Sequence, residues 1–515
     1  MKTAQKLETF AERLAGWLDS HSPWFLTGFS LCYFVTAVGL AKSGPFWFDE
    51  LFTYYIARQC SAADIMAILR VPVDQQPPPF YFVTHAASRL AGDVHIGFRL
   101  PGILGVWLMS VCLFLFVARR TNALYGAFAM LTPLLLTTFS YAVEARPYGL
   151  VVGFCALGLL AWQAAADGRR RVVWLPVLAL ALAAGISSSY YAVLLLAPFG
   201  LGELVRTVHR KAVDWGIWLA LGAGGGISFL YLPLVARSVD GFSSRNWASP
   251  STGAIFSMYG RYLEDVAVPL VALVAALSLV LIFSGSNLKP ESLGNRNRAF
   301  PHEIAAGIGL LLLPVLGCAV AALHTKMITA RYVLPTVLGF TILFTLIAFR
   351  AARGGAAAGT VLFLVALGSV VAYQVPIARG TFRARRESTG TLRSLLAKQP
   401  AGLPVVVNDP RRFFEASHYE SPEIASRLYF LVDPEASYRY GRVPYAGRGL
   451  LEMQRVAPIH VRELAPFRKA RKEFLVYRVK SDFEFVLAAV VADGASVQLV
   501  AAEGGEYLFL VKERG

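Results

Sequence analysis

Long apolar stretches follow one another along residues 24–375, and they restrict the fold of this chain more than any other feature. By the ~20 residues needed to cross a ~30 Å hydrocarbon core, we predict about 11 transmembrane helices. They lie near 24–41, 98–118, 122–141, 147–166, 172–188, 189–206, 213–235, 264–284, 303–323, 331–349 and 354–375. The composition agrees, because a 515-residue chain that is 56% hydrophobic and 16% charged is not an ordinary water-soluble globule.

The basic residues indicate how the chain is oriented. The net charge of +16 comes largely from short clusters between apolar stretches, so the positive-inside rule explains it better than nucleic-acid binding does. With a cytoplasmic N-terminus, the clusters on the cytoplasmic side are Arg119-Arg120, residues 169–171, Arg206 with Arg210-Lys211, Lys289 with Arg296 and Arg298, and Arg350 with Arg353. The segments predicted outside are 42–97, 142–146, 187–190, 236–263, 324–330 and everything after about 376. We expect a multi-pass protein of a bacterial inner (plasma) membrane with no nucleic-acid partner.

Two further predictions concern the parts outside the membrane. Residues 77–90 begin with three prolines and are too short to span, so we predict a helix on the membrane surface within the first outer loop. After about residue 380 the polarity becomes ordinary, and short apolar runs alternate with helical stretches near 411–426 and 482–493. The runs predicted as strands are 404–408, 428–433, 473–477, 496–500 and 507–511. This pattern predicts a transmembrane domain at 1–379 and an extracytoplasmic α/β domain at 380–515.

Asp49 and Glu50 are the first candidates for a functional site. They follow the first apolar stretch directly, and ionisable groups at a bilayer surface persist mainly where chemistry or binding uses them. The structural alternative is that both carboxylates only cap the helix that begins near Leu51.

Two more polar clusters are predicted on the same outer side. Glu144 and Arg146 lie between the third and fourth spans, where they bind a ligand or form only a local ion pair. Lys326 and Arg331 are cationic on a face where the positive-inside rule disfavours cations, which indicates an anionic partner such as a phosphate. The alternative for these two residues is contact with lipid headgroups.

Five motifs together resemble the GT-C class of integral-membrane glycosyltransferases, in particular the protein O-mannosyltransferase and aminoarabinose-transferase group with its bacterial relatives. In order and spacing they cover most of residues 24–350, whereas the match of the C-terminal domain is weaker. Relatives commonly have a His before the Pro-Pro pair, where this chain has Gln76, so a metal or proton role of that His is not expected here. The motifs are Phe48-Asp49-Glu50, Asp74-Gln-Gln-Pro-Pro-Pro-Phe-Tyr81, Phe98-Arg99-Leu100-Pro101, Glu144-Ala-Arg-Pro-Tyr148 and Arg331-Tyr332-Val-Leu-Pro335.

The resemblance implies sugar transfer from a polyprenyl-phosphate-linked donor to an acceptor glycan, lipid or protein at the outer face of the membrane. Asp49 is then expected to act as the base that activates the acceptor hydroxyl, with inversion at the sugar. A divalent cation could be held among Asp49, Glu50 and Glu144, although nothing in the spacing requires one. The residues expected to bind substrate are Glu50, Gln76, Glu144, Arg146, Tyr148, Lys326, Arg331 and Tyr332.

Two functions from other classes remain as alternatives. A transporter or flippase of a lipid-linked envelope precursor would also place charges along a substrate path, but it favours pseudo-symmetric halves and ionisable groups at the midplane. No such halves are visible in this sequence. An inactive scaffold is the other alternative, and the presence of both Asp49 and Arg331 argues against it.

Overall fold

The computed structural model describes residues 2–71, 73–74, 76–136, 138–242, 248–264, 267–284, 300–397, 399, 402–441, 448–480 and 484–513. Helices dominate up to residue 397, and a small mixed sheet with short helices follows. The predicted fold class, a polytopic helical membrane protein with a C-terminal α/β domain, is therefore confirmed. Of the predicted basic clusters, the one at Lys289, Arg296 and Arg298 lies outside the described residues.

Seven helices in the described part of the chain are long and apolar enough to cross a membrane. Two bent pairs raise the number to as many as nine if each pair counts as one span, with bends of 72° and 51°. The seven helices are Ser22–Ser43, Val94–Ala118, Tyr148–Ala166, Arg171–Ser188, Tyr190–Arg210, Trp215–Ala236 and Ala356–Arg383. The bent pairs are Thr252–Leu263 with Ala267–Leu279, and Pro301–Leu311 with Leu313–Thr325.

The remaining predicted spans correspond to two shorter apolar helices, Ala123–Leu135 and Thr336–Ala351. With 13 and 16 residues they are shorter than the ~20 residues of a full span. Each of the predicted stretches thus coincides with an apolar helix or a bent pair, but hydropathy alone revealed neither the bends nor the short helices. An amphipathic helix, Lys2–Ser20, precedes the first span.

Two of the long apolar helices, Val94–Ala118 and Tyr148–Ala166, touch backbone to backbone. A Cβ added at Gly105 would lie 2.3 Å from the carbonyl oxygen of Gly149, and one added at Gly153 would lie 2.4 Å from that of Gly105. Small residues allow this close approach, as they do at many helix contacts in membranes. The contact fixes where the loop before Tyr148 lies.

The first predicted outer loop carries three short helices, Phe48–Ala57, Ala62–Leu69 and Pro78–Leu90. Prolines occupy the start of the third, where the missing N–H groups leave no hydrogen bond unmade. Its 13 residues are too few for a full span, in agreement with the predicted surface helix.

The last span continues through a π-helical turn at Val370–Gln374 into the helix Val375–Ala397, which leads to the C-terminal sheet. The domain boundary predicted at residue 379 falls inside this helix. The strands are β1 Val405–Val407, β2 Leu428–Val432, β3 Val461–Glu463, β4 Glu473–Arg478, β5 Ser496–Glu503 and β6 Glu506–Lys512. The longer helices between them are Pro410–Tyr419, Arg448–Met453, Leu464–Ala470 and Val486–Ala492.

The sheet has the strand order β3-β2-β1-β4-β6-β5. β1 pairs in parallel with β2 and β4, β2 pairs in parallel with β3, and β6 pairs antiparallel with β4 and β5. Every predicted strand is present, whereas β3 has only three residues and was not predicted. The predicted helical stretch near 411–426 ends at Tyr419 and resumes in a short turn, Pro422–Ala425.

The two faces of the sheet belong to different hydrophobic cores. Successive side chains of a strand point to opposite faces. Val405 and Val407 pack into a core that also contains Phe52 and Tyr55 of the helix Phe48–Ala57, whereas Val406 packs with Val490 on the other face. One face of the C-terminal domain is therefore completed by the outer loop of the membrane domain.

On the predicted cytoplasmic side, buried ion pairs join the ends of several helices. Arg120 donates from Nε and Nη2 to Glu303 over 2.6 to 3.0 Å, and Nη2 also reaches Asp167 at 2.8 Å. Gln163 adds a fourth hydrogen bond to Glu303 at 3.1 Å. The Glu303 carboxylate is thus surrounded by donors.

Candidate active site

Asp49 and Arg331 meet at the predicted outer end of the membrane domain, although 281 other residues separate them in the chain. Asp49 lies in the first turn of Phe48–Ala57, and Arg331 lies in the turn Ala330–Val333 that precedes Thr336–Ala351. Nη1 of Arg331 donates to Oδ2 of Asp49. The two side chains keep 16% and 19% of their surface exposed, so the pair is accessible to a ligand.

Aromatic rings surround the Arg331 guanidinium. Its central carbon lies 6.0 Å from the ring centre of Trp47 and 5.7 Å from those of Tyr148 and Tyr332. Tyr332 in turn stacks on Tyr191 with ring centres 4.6 Å apart. These contacts hold a cation in place and exclude water from one side of it.

Arg331 still has hydrogen-bonding capacity. Its Nε is buried and has no partner among the described residues. Burial alone would lower the pKa of Arg331, but the Asp49 carboxylate offsets burial and holds the pKa well above its usual value. Arg331 is therefore a permanent cation with one N–H available to a further acceptor.

A second ion pair lies beside the first. Arg146 donates from Nη1 to Oδ2 of Asp74 at 2.7 Å and from Nη2 to Oδ1 at 3.3 Å. The same Nη1 reaches the backbone carbonyl of Asp49 at 3.1 Å, and Tyr81 donates to Asp74 at 2.8 Å. Arg146 thus ties together three loops of the site, and its partner is Asp74 rather than the neighbouring Glu144.

Glu50 has a different environment from its neighbour. Arg99 binds both of its oxygens, from Nε at 2.7 Å and from Nη2 at 2.8 Å, and neither side chain is exposed. The backbone N–H groups of Ala145 and Trp47 also donate to Glu50, at 2.7 and 3.2 Å. The geometry therefore does not support the predicted contact of Glu50 with substrate, and the helix-capping alternative describes part of its role.

The residues suggested for a metal do not fit one. In the described ranges, no group of three or more His, Cys, Asp or Glu side chains is arranged to hold a metal ion. Arg99 and backbone donors occupy the Glu50 oxygens, which corrects the suggested set of Asp49, Glu50 and Glu144. Glu144 is half-buried and lies close enough to Tyr141 to interact with it electrostatically, as Arg331 does.

The other predicted site residues lie in two kinds of environment. Gln76 and Tyr148 are buried, and neither Oε1 of Gln76 nor the hydroxyl of Tyr148 has a hydrogen-bond partner among the described residues. Both atoms are available to a bound polar ligand. Lys326 is exposed on the loop that leads to Arg331, and its ammonium donates to the carbonyl of Ala322.

Two residues that organise the site were not among the predicted site residues. Asp74 holds Arg146, and Arg99 holds Glu50 as well as the backbone carbonyls of Ala41, Gly44 and Pro45 at 2.6 to 3.0 Å. A signal for Arg99 was present, because a lone arginine in an apolar span requires a partner.

Comparison with known proteins agrees with this architecture. Residues 75–231 match the family model for dolichyl-phosphate-mannose-protein mannosyltransferase. The fold resembles the crystal structure of ArnT from Cupriavidus metallidurans bound to undecaprenyl phosphate, with a TM-score of 0.56, 15% identity and coverage of 95% of this chain and 98% of that one. For ArnT in the apo state the values are 0.55, 14%, 94% and 98%. A search of curated proteins gives no match.

The family match covers the loop and helices that carry Gln76, Arg146 and Tyr148, and the structural match extends over nearly the whole chain. Both support the resemblance drawn from the motifs, and neither supports the transporter alternative. The chain therefore shares the fold of ArnT, and residues 75–231 match the mannosyltransferase family model.

Proposed function

We propose that the protein transfers a hexose or pentose from a polyprenyl-phosphate-linked donor to an acceptor hydroxyl at the outer face of the membrane. The contact between Asp49 and Arg331 carries this proposal, because it places a carboxylate and a permanent cation in one partly exposed site. The solved ArnT complex with undecaprenyl phosphate supports the class of lipid carrier.

Arg331 is the proposed phosphate-binding group. In this reaction the bond between the anomeric carbon and a phosphate oxygen breaks, and the departing phosphate gains negative charge that a fixed cation stabilises. Nη1 of Arg331 is bonded to Asp49, whereas the buried Nε has no partner among the described residues, so one planar guanidinium has donors for both the base and a phosphate oxygen.

Asp49 is the proposed general base. The acceptor oxygen attacks the anomeric carbon from the face opposite the phosphate, its proton passes to the Asp49 carboxylate, and polyprenyl phosphate leaves. One carboxylate suffices because no glycosyl-enzyme intermediate forms, and the configuration of the sugar inverts.

The remaining polar groups are proposed to orient the substrates. Gln76 and the Tyr148 hydroxyl present unbonded polar atoms suited to sugar hydroxyls, and Glu144 lies on the same side. Tyr332 is held in place by stacking on Tyr191, and Arg146 is held by its hydrogen bond to Asp74. Lys326 is exposed and suited to lipid phosphates near the entrance.

The proposal includes an orientation. With the N-terminus in the cytoplasm, the site and the C-terminal domain face the periplasm or extracellular space of a bacterial inner (plasma) membrane. The basic clusters between spans support this, because they would then lie inside. The acceptor is a glycan, a lipid or a protein of the cell envelope.

Purified protein in proteoliposomes tests the function directly. We expect release of polyprenyl phosphate and sugar transfer when the donor is a polyprenyl-phosphate sugar, and none when the donor is a nucleotide sugar. Mass spectrometry of envelope glycans, lipids and glycoproteins from cells with and without the chain identifies the acceptor.

A counter-flow assay in the same vesicles distinguishes the transporter alternative from sugar transfer. Movement of the intact lipid-linked sugar across the bilayer without its cleavage would overturn the proposal.

Asp93→Asn is a suitable control for site variants, because Asp93 caps Val94–Ala118 and asparagine caps a helix as well as aspartate.

A further inference from the structure

The C-terminal domain holds the backbone that carries the base. The hydroxyl of Tyr419 accepts a hydrogen bond from the N–H of Phe46, and Oε1 of Glu415 accepts one from the N–H of Phe48 at 3.1 Å. Between them, the N–H of Trp47 donates to Glu50. Two of the three N–H groups immediately before Asp49 are therefore bound by a domain more than 300 residues away in the chain.

These contacts act where the base-bearing helix begins. The first N–H groups of a helix have no partner inside the helix and need an acceptor from elsewhere. Phe48 is the first residue of Phe48–Ala57, so Glu415 supplies a carboxylate to its positively polarised end. The C-terminal domain thus caps the helix whose next residue is Asp49.

Aromatic packing reinforces the two hydrogen bonds. Phe414 precedes Glu415 in the helix Pro410–Tyr419, and its ring contacts Phe48, Phe52 and Tyr55 at centre distances of 6.0, 5.3 and 5.6 Å. The hydroxyl of Tyr55 also lies 2.8 Å from Nδ1 of His418. The face of Phe48–Ala57 that these residues cover cannot rotate without losing this packing.

A rigid path connects the contacts to the membrane domain. Glu420, next to Tyr419, accepts two hydrogen bonds of 3.0 Å from Arg393 in the helix Val375–Ala397. Earlier in the same helix, the ring of Phe382 lies against Gly44, where an added Cβ would be only 2.6 Å away, and 5.5 Å from the Arg99 guanidinium. The segment before Asp49 is therefore held from both sides.

We propose that Glu415 and Tyr419 are positioning residues for sugar transfer: by binding the N–H groups of Phe48 and Phe46, they hold Asp49 against Arg331. The C-terminal domain then affects the reaction through the position of Asp49. This inference rests on the proposed function, in which Asp49 is the base.

The test removes each contact without removing the domain. Tyr419→Phe deletes the hydroxyl, Glu415→Ala deletes the acceptor, and Glu415→Gln keeps a carbonyl oxygen that can accept from the same N–H. We expect the first two to lower kcat about fivefold to tenfold, as for the loss of one hydrogen bond, with the donor KM unchanged within about twofold. Glu415→Gln is expected to retain most of the wild-type kcat.

The matched control is Glu423→Ala, since Glu423 is an exposed carboxylate on the same domain. A merely structural contact would lower the unfolding temperature of Glu415→Ala and leave kcat per folded protein unchanged, and that result would overturn the proposal. Loss of kcat in Glu415→Gln as severe as in Glu415→Ala would overturn it as well.

Hydrogen exchange separates this proposal from the proposed function. We expect the amides of Phe46 and Phe48 to exchange faster in Glu415→Ala and Tyr419→Phe than in wild type and in the control. If the wild-type protein transfers no sugar, the proposed function fails, and exchange alone decides whether the domain fixes this segment. Unchanged protection in both variants would then overturn the positioning role.

Discussion

The two ends of the membrane domain use arginine and carboxylate pairs in different ways. At the predicted cytoplasmic end, Glu303 accepts three hydrogen bonds from Arg120 and one from Gln163, and its side chain is fully buried. At the predicted outer end, Asp49 accepts from one nitrogen of Arg331, both side chains remain partly exposed, and Nε of Arg331 is unbonded among the described residues.

The difference separates structural from functional ion pairs. A buried pair whose lone pairs and protons are all satisfied holds loops in place, and removing one partner leaves an uncompensated charge. A pair with an open donor and partial exposure has capacity for a ligand. The neighbouring carboxylates Asp49 and Glu50 show the same contrast, since Glu50 is saturated by Arg99.

The largest expected effect comes from a substitution that breaks the pair of Asp49 and Arg331. Asp49→Asn removes the base and nearly preserves the shape, so we expect transfer to fall by roughly 10²–10⁴-fold while the protein still binds the donor. Turnover in proteoliposomes and donor binding by the purified protein measure the two quantities. Asp93→Asn should retain wild-type turnover, and equal loss in both variants would contradict the assigned base.

Breaking the pair of Arg120 and Glu303 should lower the stability of the protein and leave its turnover unchanged. Glu303→Gln leaves Arg120 buried with Asp167 as its remaining carboxylate, and we expect a loss of about 3 kcal/mol in the free energy of unfolding. Denaturant unfolding in detergent micelles measures it. kcat per folded molecule should stay unchanged, and a lower kcat at wild-type stability would erase the distinction between the two ends.

A third variant tests the open donor of Arg331. Arg331→Lys keeps the charge but loses the planar fork, so one side chain can no longer hold Asp49 and a phosphate oxygen in the same plane. We expect kcat/KM for the lipid-linked donor to fall about 10- to 100-fold. Arg261→Lys, at an exposed pair with Glu264, serves as the control and should change kcat/KM little.

The smallest expected effect is the pH dependence of stability caused by His418 at the contact between the domains. Burial first, and then the nearby His95 and Arg58, lower the pKa of His418 to about 4. An unfolded histidine titrates near 6.5, so between these values the unfolded chain binds more protons. Stability should therefore decrease as the pH falls, by on the order of 1 kcal/mol per pH unit between about pH 6 and 4.

Unfolding temperatures measured from pH 7 to 4 check this dependence. His418→Gln should flatten the curve, whereas His324→Gln, at an exposed histidine, should leave it unchanged. An unaltered slope in His418→Gln would show that other groups cause the acid sensitivity.

The sequence predicted the helices better than their geometry. Apolar length located the seven helices long enough to cross a membrane and both bent pairs, because burial in lipid demands apolar side chains at each turn, and it overestimated the length of the two short helices. The bends between Leu263 and Ala267 and at Leu312 were not predictable, because tertiary packing decides where a span breaks. The short strand β3 was missed because Val461 is its only apolar residue, whereas β1, which is equally short, consists of three valines.

The sequence predicted which residues of the site lie on the same side of the membrane. It predicted less well which side chains pair with each other. The expected meeting of Asp49 and Arg331 followed from placing both on the outer side. The role of Glu50 depends on which side of the helix faces Arg99, and adjacent residues on a helix point about 100° apart. Sequence spacing alone therefore could not tell which carboxylate of the pair would be enclosed.

The core shared by the outer loop and the sheet has a consequence for biosynthesis. A chain whose synthesis stops before β1 would leave Phe52 and Tyr55 with no sheet to cover them, although all the apolar helices would already be inserted. Exposed aromatic side chains of this kind are what proteases and chaperones recognise in unfinished proteins. Truncated copies would thus be removed instead of accumulating in the membrane.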